Sequence, residues 1–134
     1  MHHNVFIYLE FIREIVLSLP GVTEKTCFGT PAFYVNKKLF TRLKEDGETL
    51  AIYTEQRDMW LKIDPNTFFV TDHYLNYSYM LVRLESAKPA HLEQLLITAW
   101  RNRAPKRLLK EYDHLAGLSN PSNSNSSLIT STIS

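Results

Sequence analysis

The sequence predicts an α+β two-layer sandwich, an antiparallel sheet with N- and C-terminal helices packed on one of its faces. Three observations lead there. Apolar residues recur at helical spacing near both ends, the stretch from Lys25 to Val70 shifts to a period of two, and turn signals cut that stretch into hairpin-sized runs.

Asn4 is placed to cap a helix over residues 4–19, and Pro20-Gly21 stops it. Its polar residues Glu10, Arg13, Glu14 and Ser18 share one narrow stripe, which predicts a mostly buried helix. A meander follows. Strands are expected at 32–35, 39–44 and 49–54, joined through Asn36-Lys37-Lys38 and Glu45-Asp46-Gly47, both short enough for hairpins. A short helix over 55–63 ends before Asp64-Pro65, because the residue before proline disfavours the α region. Two further strands are expected at 67–71 and 79–85, for five or so in all. Pro89 then sits in the first turn of a second long helix, whose Leu92, Leu95, Leu96, Ala99 and Trp100 form the stripe of a helix lying on a sheet. Pro105 opens a terminal helix that Gly117 is expected to end. The domain is therefore read as residues 4–116, with 117–134 a disordered Ser/Asn-rich tail.

With 134 residues and 44% apolar content, the chain can bury one core without a disulfide or structural metal. Its one cysteine, Cys27, fits a reducing compartment. Glu10, Arg13 and Glu14 interrupt the N-terminal apolar run before it could span a bilayer, and no signal-peptide pattern is read, so a cytoplasmic protein without a membrane partner is expected. The net charge of +1 argues against bulk electrostatic binding of nucleic acid and leaves local clusters open.

One such cluster is Arg101, Arg103, Lys106, Arg107 and Lys110, a run with no acid among them. Five phosphate contacts on a duplex would give a logarithmic salt slope of about −4.5, whereas cations at a helix end also serve simply to complement its dipole. Strand alternation sets Phe40, Arg42 and Lys44 opposite Leu39 and Leu43, and sets Tyr79, Leu81 and Arg83 on one side of their strand. Basic and aromatic side chains then share a surface. The segment holding His73, Tyr74, Tyr77 and Tyr79 is dense in rings with polar tips, which suits either a stacked flat ligand or a loop folded over the core edge. Cys27 and His73 are the one obvious nucleophile and base, with nothing local to bring them together, and the nucleophile-elbow, zinc-protease and phosphate-loop patterns are absent. Glu10 and Glu14 make a poor hard-cation site. No catalytic residue, metal or cofactor is assigned.

Taken in order, Leu19-Pro20-Gly21-Val22, Phe28-Gly29-Thr30-Pro31-Ala32-Phe33, Lys38-Leu39-Phe40, Val70-Thr71, His73-Tyr74, Leu81-Val82-Arg83-Leu84, Ala99-Trp100-Arg101 and Ala104-Pro105-Lys106-Arg107-Leu108 resemble the MmcQ/YjbR-like family of small, mostly uncharacterised bacterial proteins. The resemblance implies a fold similar to the bacterial frataxin CyaY. It also implies DNA as a partner, since the family is often labelled DNA-binding. Asn76, Ser78 and Tyr79 stand where members commonly carry Gly, Pro and Trp. Frataxin's iron binding does not carry over, because its acidic ridge is reduced here to Glu10 and Glu14. The expectation is a non-enzymatic binding module. It would engage nucleic acid through Arg101, Arg103, Lys106 and Arg107, with Arg42, Lys44, Arg83 and the loop from His73 to Tyr79 as a second contact. The alternative is a protein-interaction or small-ligand domain using the aromatic loop and the open sheet face. The sequence identifies neither a protein partner nor an oligomeric state.

Overall fold

A computed structural model describes residues 2–118, with side chains from 7 to 115. The chain divides into two compact units, one ending at Ala104 and the other beginning at Pro105.

The first unit opens with α1 (His2–Val16), which starts before Asn4 rather than at it. Ile12 and Val16 are its only buried described side chains, and Ile7 is 62% exposed. The expectation of a mostly buried helix fails because α1 lies along α3 (Pro89–Arg103) and over the edge strand β1 (Val22–Cys27), so only one stripe meets protein. Arg13 ties it down with a two-pronged contact to Glu24, Nε to Oε1 at 3.0 Å and Nη2 to Oε2 at 2.6 Å. The Pro20-Gly21 stop is anchored from far away in sequence, by the Trp100 indole N–H donating to the Pro20 carbonyl at 2.9 Å.

The sheet has six strands among the described residues, all neighbours antiparallel, in the order β1-β2-β3-β4-β6-β5. After β1 come β2 (Thr30–Val35), β3 (Lys38–Leu43) and β4 (Thr49–Tyr53). Helix α2 (Arg57–Ile63) and the two-residue edge strand β5 (Phe68–Phe69) follow. A short 3-10 turn at Asp72–Tyr74 then leads into β6 (Tyr79–Arg83). Strand β1 is the element added to the sequence reading, and β5 is much shorter than expected.

The first two hairpins close through two residues each, and both residues of each turn have positive φ. These are Phe28 and Gly29 at 53° and 81°, and Asn36 and Lys37 at 52° and 67°. Such turns match the right-handed strand twist and favour Asn-Gly, so a phenylalanine at the first position is costly by roughly 1–2 kcal/mol. Between the pairs Phe33 with Thr41 and Tyr34 with Leu39, Phe40 has no partner and forms a β-bulge. That one extra residue overturns the expected alternation. Leu39 joins the face of Arg42, since their partners Tyr34 and Ala32 lie two apart on one strand, while Phe40 is fully buried.

Register separates the two faces. Glu24, Phe33, Thr41, Ile52 and Met80 lie in one row, with Leu43, Leu50, Val82 and Phe68 in the next. This is the core face, covered by α1 through the Arg13–Glu24 pair and by α3, whose His91 ring lies 6.3 Å from Phe68 and 5.2 Å from Trp60. Leu92, Leu95, Leu96, Ala99 and Trp100 are buried along α3 as its spacing predicts.

The second unit holds α4 (Lys106–Leu118), which follows Pro105, buries Leu108 and runs past Gly117 rather than ending there. Of the expected tail, residues 119–134 lie outside the described residues. Among the described residues no helix is long and apolar enough to cross a membrane.

Candidate functional site: rings and cations on the second sheet face

The second face carries Lys25, Ala32, Arg42, Ala51, Leu81 and Phe69 in one row, and Tyr34 with Leu39 in another. Tyr53 pairs with Tyr79 and Thr49 with Arg83 on the same side. Arg42, Tyr79, Leu81 and Arg83 thus share a face through register.

A continuous run of five rings crosses one end of this unit. Tyr77 and His73 have centroids 6.5 Å apart, His73 and Tyr74 4.8 Å, Tyr74 and Tyr79 6.2 Å, and Tyr79 and Tyr53 5.6 Å. The contacts alternate between edge-on and tilted, the geometry that ring quadrupoles favour over face-to-face stacking. Tyr77 and His73 are exposed, and the ladder becomes progressively more enclosed toward Tyr79, whose hydroxyl donates to the Leu39 carbonyl at 2.8 Å. Burial pushes the Tyr79 hydroxyl above its ordinary pKa of 10.0, and Arg103 pulls it partly back. At Tyr53 the hydrogen bond to Glu55, 2.9 Å long, does the same.

The loop that holds these rings is pinned by one residue. Arg57, in the first turn of α2, donates to the carbonyls of Tyr74, Leu75, Tyr77 and Tyr79 at 2.9–3.1 Å. Beside it, Gln56, Asp58, Met59 and Tyr77 line an open groove of 260 Å³, completed by Thr54, Glu55, Arg57 and Ser78.

Cations sit on rings across the unit. Lys25 lies 5.8 Å from the Tyr34 ring, Arg42 5.1 Å from Phe28, Lys44 5.1 Å from Tyr74, Arg83 4.4 Å from Phe69 and Arg103 4.3 Å from Tyr53. Each such pair is worth about 0.5–1 kcal/mol when exposed, and each holds its cation in a fixed place.

These cations are not equally available. Arg42 is 6% exposed because its cross-strand neighbours Ala32 and Ala51 leave it room to lie flat. It donates to Thr30 Oγ1 at 3.1 Å and to the carbonyls of Cys27 and Leu43 at 3.4 Å, with Glu45 at 3.6 Å. Its charge is spent on holding the β1–β2 turn beneath the exposed Phe28. Lys44 is shared between the Tyr74 hydroxyl at 3.1 Å and Glu45 at 3.8 Å. Arg83 is exposed and donates to the Asn66 carbonyl at 2.9 Å.

The basic run of the sequence divides between the units. Arg101 and Arg103 end α3, whereas Lys106 and Arg107 begin α4, both exposed. Arg103 Nε is buried with no hydrogen-bond partner. Cys27 is a half-buried free thiol next to the Tyr34 hydroxyl, which burial and that neighbour push upward in pKa. Among the described residues no three His, Cys, Asp or Glu side chains are grouped to hold a metal ion. Tyr53, Phe28, Lys25 and Arg57 belong to this surface without having been singled out from sequence. Cross-strand register places Tyr53 and Lys25, the tight β1–β2 turn places Phe28 over Arg42, and long-range carbonyl contacts place Arg57.

A family model described as YjbR matches residues 17–102. The uncharacterised proteins Rv2570 of Mycobacterium tuberculosis and Mb2600 of Mycobacterium bovis are each 30% identical to the chain over 71 residues, 53% of this chain and 49% of theirs. The chain thus spans about half the length of the curated relatives it matches. The crystal structure of Deinococcus radiodurans protein DR2400, with family-model domain DUF419, superimposes with a TM-score of 0.60 at 17% identity, over 69% of this chain and 75% of that one. That likeness is one of fold, and it agrees with the α+β architecture described above.

Proposed function

Since the chain belongs to the YjbR family, and the mycobacterial relatives it matches are uncharacterised, we propose that it is a non-enzymatic cytoplasmic binding module for single-stranded nucleic acid. The observation that carries this reading is the five-ring ladder from Tyr77 to Tyr53 with Lys44 and Arg103 seated on its rings. Unstacked bases gain about 1–3 kcal/mol each on such rings, and fixed cations meet the phosphates between them. A single strand suits the surface better than a duplex, because its bases are unpaired and free to lie against the rings of the ladder. His73, Tyr74, Tyr77 and Tyr79 take the bases in this reading. Lys44, Arg83 and Arg103 take the backbone, while Lys106 and Arg107, exposed at the start of α4 in the second unit, are a separate source of nonspecific attraction. Arg42 has a supporting role, since its guanidinium is already engaged.

A fluorescence-anisotropy titration with labelled single- and double-stranded oligonucleotides tests this. Preferential single-strand binding that weakens with salt is expected, and absence of binding at low salt removes the proposal.

A second reading is favoured by one observation. Met59 and Ile63 are exposed one helical turn apart on α2, and Leu75 and Tyr77 are exposed on the loop that Arg57 ties to it. Such an apolar group fits a protein partner. Under that reading Met59→Ser and Tyr77→Ser would abolish partner capture while charge reversal at Lys44 and Arg83 would not.

A further inference from the structure

Resting on the single-strand reading above, we infer that the groove at the start of α2 is a subsite for one guanine base. The ring ladder ends at Tyr77, which is 61% exposed and lines the groove together with the 41% exposed Met59. At 260 Å³ the groove falls below the roughly 300–1,000 Å³ of sites for drug-sized ligands, which suits a single flat group rather than a whole dinucleotide.

Its polar lining is selective. Two carboxylates, Glu55 and Asp58, stand there, and carboxylates repel phosphate, so on a strand-binding surface they are useful only against base donors. Glu55 Oε2 already accepts from the Tyr53 hydroxyl at 2.9 Å. Arg57, the one cation in the groove, is engaged by four carbonyls. Asp58 is exposed and takes part in none of the hydrogen bonds or ion pairs found among the described residues, and Gln56, which opens the same helix, makes no side-chain capping bond.

An open carboxylate offers two acceptors side by side. Among the bases only guanine answers with two adjacent donors, N1–H and the N2 amino group. Adenine and cytosine set a single amino donor beside a ring acceptor, and thymine sets one N–H between two carbonyls. The Gln56 amide supplies the donor that guanine O6 needs. Tyr77 and Met59 supply apolar surface for the ring faces. Base-edge hydrogen bonding of this kind is how splayed single strands are read.

The test uses the whole chain and thymine decamers bearing one central thymine, guanine, hypoxanthine, adenine or cytosine. The guanine decamer is expected to bind about tenfold tighter than the all-thymine one, in line with the 1–3 kcal/mol of a good paired contact. Hypoxanthine, which lacks the N2 amino group, should lose most of that advantage. Asp58→Asn should bring the guanine and thymine decamers to the same affinity, a ratio that a general loss of folded protein cannot mimic. Equal affinities for all five decamers would overturn the subsite and leave the binding module standing. If no decamer binds at low salt, the module itself is refuted and the subsite with it.

Discussion

Arg57 donates from Nη1 to the Tyr79 carbonyl at 2.9 Å, joining the first turn of α2 to the first residue of β6 across 22 positions of sequence. With Tyr74, Leu75 and Tyr77 on the same guanidinium, one side chain satisfies four carbonyls of the aromatic loop. Replacing it with alanine leaves those carbonyls to water. Arg57→Ala should destabilise the protein by about 2 kcal/mol and speed amide exchange in residues 72–79. Arg57→Lys should recover less than half, because an ammonium lacks the planar fork. Denaturant unfolding within about 0.5 kcal/mol of the parent would contradict this.

Tyr79 joins the ladder through its ring and the sheet through its hydroxyl. Tyr79→Phe removes only the bond to the Leu39 carbonyl, with an expected loss of about 1 kcal/mol and little change in oligonucleotide affinity. Tyr79→Ala should lose both stability and affinity. Equal affinity losses in the two variants would assign the binding contribution to the hydroxyl instead.

Arg42 and Lys44 are two residues apart but differ in what they do. Arg42→Met takes the guanidinium away from the Leu43 carbonyl and leaves the Cys27 carbonyl to the Thr30 hydroxyl alone, and should cost about 1–3 kcal/mol of stability with no change in the salt dependence of binding. Lys44→Ala and Arg83→Ala should each cost about 1 kcal/mol of stability, through the lost ring contact and hydrogen bond, and make the logarithmic salt slope shallower by about 0.7, the value for one phosphate contact on a single strand. A shallower slope in the Arg42 variant would place that guanidinium on the ligand after all.

The hydroxyl of Tyr79 is raised above 10.0 chiefly by burial, so the folded state holds its proton more tightly than the unfolded chain does. Its contribution to stability is complete below pH 10 and is lost as the pH climbs through the folded value. Tyrosinate absorbance during an alkaline titration should therefore show a late component, shared with Tyr34 and Tyr53, that Tyr79→Phe diminishes. A titration in which every tyrosine ionises together near 10 would contradict the burial.

Much of the architecture was legible because α3 follows its period closely and turn residues bound the strands β2 to β4. Strand β1 was not, since Thr23, Glu24, Lys25 and Thr26 leave only Val22 and Cys27 as apolar markers in six residues. The bulge at Phe40 has no local signal either, and it moves Leu39 to the opposite face from the one alternation assigns. In the candidate site, ring density alone marked His73, Tyr74, Tyr77 and Tyr79. Tyr53 enters only through its pairing with Tyr79. Arg57 looks like any helix-opening arginine until its partners, 17 to 22 residues downstream, are placed beside it. The burial of Arg42 depends on two alanines from different strands, and single-strand alternation cannot supply that.

The sheet ends at β1, whose outer edge offers backbone donors and acceptors to any newcomer, yet Lys25 stands exposed in mid-strand. If copies stacked edge to edge in the parallel, in-register manner of fibrils, ammonium groups would pile up at about 4.8 Å spacing, with the Glu24 carboxylates doing likewise. That repulsion guards the molecule against amyloid-like self-association at its longest open margin, and neutralising Lys25 would weaken the guard.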